Sequence, residues 1–186
     1  MKTTPDSTVI EILRRLLAGE RGHLPLHLAM LLERASCFDS GDEHYSHILP
    51  PEISDLRIST ETANSIIVTL CAEVSRNPDE ALIGAMSFTG AELATKTAVK
   101  VLTDPPRPLT MSEYHAALSL LVKFLPGELA EDSEFVSKAD LEHLVQLTGN
   151  LQNIDETGPD RTERIGVRIH AGELFERLTE LGFDGG

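Results

Sequence analysis

Residues 41–47 read GDEHYSH, two acids, two histidines and a tyrosine in seven positions. With His23, His27, Cys37 and Asp39 upstream, four of the seven histidines fall within 25 residues. Neutral imidazole, thiolate and carboxylate are the ligands that zinc, nickel or iron takes. His44 and His47 stand three apart, so they share a face wherever the segment makes a helical turn. His23 and His27 bracket Pro25, and Asp42 supplies a nearby carboxylate. One reading is therefore a zinc or other transition-metal site on His44 and His47, completed by His23, His27 or Asp42, in a metal-binding helical protein or metal-dependent hydrolase. The spacing matches no short metal signature: there is no HExxH, no CxxC and no calcium loop. The competing reading is a solvated loop over residues 39–60 with no resident cofactor.

A second group of residues is chemically simpler. Between Glu128 and Asp160 there are nine acids and one base, Lys138. Asp140 and Asp160 sit where helices start, and the helix dipole accounts for them. The remainder, Glu128, Glu131, Asp132, Glu134, Glu142, Asp155 and Glu156, form a candidate acidic surface. A block of one sign steers a basic partner toward it, or imitates nucleic acid before a protein that binds it.

Two further arrangements bring chemistry to mind. Arg164 and His170 stand six apart, a spacing that resembles the loose R-x(4–6)-H pattern of HEPN-type ribonucleases. Six helical positions turn two side chains about 120° apart. Arg21 and His27 repeat the same spacing, and Ile165 and Gly166 follow the arginine where that pattern often has a polar residue, so the chain is not placed in that family. No nucleophile elbow surrounds Ser36, Cys37 or Ser65, and no glycine-rich loop opens a helix to hold phosphate.

The elements that must position these groups are helices. Apolar residues recur on one face in Ala63, Ile66, Ile67, Leu70, Cys71, Val74. They do so again in Tyr114, Ala117, Leu118, Leu121, Val122, Leu125, and in Leu141, Leu144, Val145, Thr148, Leu151. Less regular stripes cover Val9 to Leu17, Leu26 to Phe38, Ala91 to Leu102 and Ile165 to Leu181. Thr110 with Glu113 reads as a capping box, with Leu109 and Tyr114 at the staple positions. Asn77 reads as a cap before Pro78, and Ser137–Asp140 and Asp160–Glu163 as looser starts. Gly19, Gly149 and Gly182 stand where helices would stop. Breaks are expected at residues 38–60, 104–109 (DPPRPL), 126–136 and 149–160, none of them long or simple enough for an interdomain linker. No alternating β-branched run competes. The expectation is one all-α domain over residues 1–186, with seven or eight amphipathic helices closed as a bundle or stacked as a short series of hairpins.

Composition narrows the function. Thirty acids against 16 bases give a formal charge of −14, and aromatic residues are 4% with no tryptophan. Such a chain repels phosphate backbones and offers no base-stacking platform, so direct nucleic-acid binding is not expected. Two cysteines do not make a disulfide framework, and the N-terminus lacks a basic and then apolar leader, so a reduced cytoplasmic protein with no membrane segment is expected. No catalytic constellation survives. The function expected is a protein–protein interaction module — adapter, inhibitor or regulatory subunit — with an acidic surface and a partner of basic character, self-association being open.

Overall fold

A computed structural model describes residues 4–35, 50, 53, 56–87, 89–132 and 134–183. Among these the chain is all-α, with eight helices and no strand. They are α1 (Pro5–Leu17), α2 (Leu24–Ala35), α3 (Thr60–Arg76), α4 (Glu80–Met86), α5 (Glu92–Thr103), α6 (Met111–Glu131), α7 (Lys138–Leu151) and α8 (Arg161–Glu180).

The packing order resolves bundle against stack. Each odd helix packs on the even helix that follows it: α1 on α2, α3 on α4, α5 on α6, α7 on α8. Odd helices also pack in succession, α1 on α3, α3 on α5, α5 on α7, and the even helices do the same. Four helical hairpins are therefore stacked in two layers. Each hairpin alone leaves an apolar stripe uncovered, and stacking closes one continuous core from Val9 to Leu178. Cys71 belongs to that core, packed as a small apolar group with its Sγ 3.5 Å from Met86 Sδ.

Local chemistry explains where the helices begin and end. The Thr110 hydroxyl accepts from the Glu113 amide at 3.3 Å while the Glu113 carboxylate accepts from the Thr110 amide at 2.8 Å, completing the capping box. Ser137 accepts from the Asp140 amide at the start of α7. Gly19 and Gly182 both adopt positive φ, 92° and 89°. Each closes its helix with a pair of reversed bonds: Gly19 to Leu16 and Glu20 to Arg15, then Gly182 to Thr179 and Phe183 to Leu178.

Other expected boundaries are corrected. The cap of α4 is Asp79, whose Oδ1 accepts from the Ala81 and Leu82 amides, whereas Asn77 closes α3. Asp160 precedes α8 without a side-chain cap bond. Gly149 lies inside α7, which runs on to Leu151. Most instructive is Pro126, where a break was expected and α6 continues for five more residues. Proline has no N–H to give the carbonyl four residues back, here Val122. That carbonyl accepts instead from Arg177 Nη1 of α8 at 3.3 Å. A neighbouring helix supplies the donor that the proline lacks.

Arginines also tie the hairpin loops to one another. Arg21, after α1, pairs with Asp79, before α4, at 2.7 Å. Arg107, before α6, donates to Asn77 Oδ1 at 3.2 Å, to the Pro78 carbonyl and to both oxygens of Glu113.

Candidate functional site

The expected metal ligands divide into two groups. His23 lies in the turn before α2 and His27 in its first turn, with rings stacked at 5.9 Å between centroids. Burial, and then the neighbouring His23, lower the His27 pKa, so this imidazole favours its neutral form. Among the described residues, however, no three His, Cys, Asp or Glu side chains gather as a metal-binding group. Asp42, His44 and His47 lie outside the described residues.

The acidic stretch does not form one face. Its two ends are held apart by α6 and α8, which run parallel: His115 of α6 lies against Gly166 of α8, and Val122 accepts from Arg177. Asp155 and Glu156 belong beside the beginning of α8, where Arg164 Nη1 donates to the Asp155 carbonyl and Arg168 pairs with Glu156. Glu142 is paired with Lys138 at 3.5 Å. Asp155 is further occupied by Thr157, which donates to it from both its amide and its hydroxyl. These acids are internally compensated.

Glu128, Glu131, Asp132 and Glu134 are arranged differently. They sit at the C-terminal end of α6, roughly 20 Å along the helix axis from His115 at 1.5 Å per residue. That end already carries the negative pole of the dipole, and α6 has no base in its last turn. Glu92, at the start of α5, adds a carboxylate that the sequence stretch does not contain. Burial, then repulsion from Glu131 and Glu92, push the Glu128 carboxyl above the ordinary glutamate value. Lys96 opposes this, but it is shared with Glu92, to which it is hydrogen-bonded, and with the Phe135 ring, 4.7 Å away. Asp132 accepts from the Glu134 amide at 2.9 Å and so holds the connection to α7 in a tight turn.

A cleft of about 530 Å³ opens between the start of α2, α4 and the first half of α6. Small residues, among them Gly22, Ala81, Gly84 and Ala116, line it, and Arg21, Asp79, Glu80 and His115 supply its charge and titratable groups. His115 is also the side chain that reaches α8. It stacks on His170 with centroids 5.2 Å apart and planes 20° apart. A Cβ at position 166 would lie 2.5 Å from His115 Nε2, so only glycine admits the ring there.

Two of these features escaped the sequence. Glu92 joins the acids of α6 only through the α5–α6 packing, and His115 meets His170 across 55 positions. Gly166, a glycine inside the apolar stripe from Ile165 to Leu181, is the one visible trace of the second contact in the sequence. No protein-family model, no curated protein and no solved structure matches the chain.

Proposed function

We propose that the protein is an interaction module that binds a basic segment of another protein at the acidic end of α6. The observation that carries this reading is electrostatic. Glu131 and Glu92 stand beside Glu128 at the negative pole of α6, and burial together with these two carboxylates pushes the Glu128 carboxyl above the ordinary glutamate value. Glu156, Asp140 and Glu113, by contrast, are paired with bases or engaged in helix caps. With Lys96 already bonded to Glu92, carboxylates remain in excess at this end, and an arriving lysine or arginine cluster would offset that excess on binding. A formal charge of −14 extends the attraction beyond contact range and speeds encounter.

The test is calorimetric titration of the full chain with a short lysine- and arginine-rich peptide, at about 50 mM and about 500 mM salt. The expected affinity falls by about tenfold or more over that range. Glu92→Gln, Glu128→Gln and Glu131→Gln together abolish binding, while Asp155→Asn with Glu156→Gln leaves it nearly unchanged. Equal losses in the two variants, or affinity indifferent to salt, would overturn the reading.

A further inference from the structure

We propose that the His115–His170 stack is a proton-operated latch between α6 and α8, closed when both rings are neutral and released when His170 takes a proton. This goes beyond the binding reading, and neither depends on the other.

The geometry is specific. The His115 ring of α6 lies against Gly166 of α8, where a Cβ would stand 2.5 Å from its Nε2, and it stacks on His170 one turn further along. His170 Nδ1 is buried and has no hydrogen-bond partner, so a proton added there finds no acceptor waiting. Arg164, six residues earlier on the same helix, has its Nε buried without a partner as well, although its Nη1 reaches the Asp155 carbonyl. The rings stack nearly parallel at 5.2 Å, so protonating both would set like charges face to face.

The surrounding charges do not rescue a protonated His170. On α8 the opposing carboxylate is Glu173, which is engaged by Arg177 at 2.6 Å. From α6 the facing group is His115 itself. Across the cleft, on the far side of His115, stand Arg21 from the α1–α2 turn with Asp79 and Glu80 at the start of α4, and the first two are paired with each other. From the α7–α8 connection Glu156 faces Arg168 and is paired with it. Burial first, and then His115, depress the His170 pKa, with Glu173 opposing them only in part.

The sign follows. A histidine whose folded pKa lies below its unfolded value leaves stability intact above that unfolded value, about 6.5, and removes it as pH falls from there toward the folded pKa. Because His115 also lines the cleft, release of α8 frees one side chain of the cleft lining. Each unit of depression corresponds to a tenfold shift in the opening equilibrium.

Histidine ring resonances of the full chain, followed by NMR from pH 7.5 to 5, read His170 directly without a variant. The expected midpoint lies below about 6.5, and it rises in His115→Gln. In parallel, hydrogen exchange of α8 amides, corrected for intrinsic rates, is expected to quicken about tenfold between neutral pH and pH 5 in the native chain and far less in His170→Gln. A His170 midpoint at or above the ordinary value overturns the latch. So does an equal acceleration of α8 exchange with and without His170.

Discussion

Among single residues the structure separates carboxylates that hold the fold from carboxylates gathered at the end of α6. Glu113 is of the first kind. Burial alone pushes its carboxyl up, but the Arg107 guanidinium and the Thr110 amide outweigh this and hold it below the ordinary value of 4.5. A depressed carboxyl contributes stability that is present above the unfolded pKa and lost as pH falls through the folded one. Glu113→Ala therefore costs about 2–3 kcal/mol at neutral pH, from a lost cap and two stranded donors, and lowers the melting temperature by roughly 5–10 °C. Its melting temperature should also lose less than the native chain's between pH 5 and pH 3. Glycines give a second contrast. Gly127 lies within α6 with open space around it, so Gly127→Ala should stabilise the chain by about 0.5–1 kcal/mol. Gly166→Ala meets the His115 ring at 2.5 Å and should destabilise it by about 1–3 kcal/mol despite the better helix propensity. Denaturant midpoints of the two variants moving in the same direction would contradict the packing described.

The scale of the helix is where sequence and structure agree best, and their disagreements have physical causes. Apolar spacing located seven helices because one-sided burial imposes a period of 3.6 wherever a helix lies on a core. α4, at only seven residues, is too short for its own period to show, and its one trace in the sequence is the cap signal before Pro78. Pro126 misled because its cost depends on whether the freed carbonyl finds another donor, and Arg177 lies 51 positions away in sequence. A double-mutant cycle tests this compensation. Arg177→Ala should cost about 1 kcal/mol more in the native chain than in Pro126→Ala, where the restored amide serves Val122 itself. Equal costs in both backgrounds would show that Arg177 does not support α6.

For the whole molecule, what the sequence could not convey is which distant helices share a layer. Amphipathic stripes fit a bundle and a stack equally, and the choice rests on pairings such as α6 on α8 that no local period records. The same pairings divide the acidic stretch, leaving Asp155 and Glu156 satisfied at one end and gathering Glu92, Glu128 and Glu131 at the other. A net charge of −14 repels itself in the compact state, so moderate salt should raise the melting temperature while it weakens capture of a basic peptide. The most direct test of the account is the titration of the Glu128 carboxyl, followed by NMR in the free chain and with a saturating lysine-rich peptide. The account predicts a midpoint above 4.5 in the free chain, brought down when the peptide binds. A carboxyl that titrates at or below the ordinary value, or that the peptide leaves unmoved, would contradict a binding site at the end of α6.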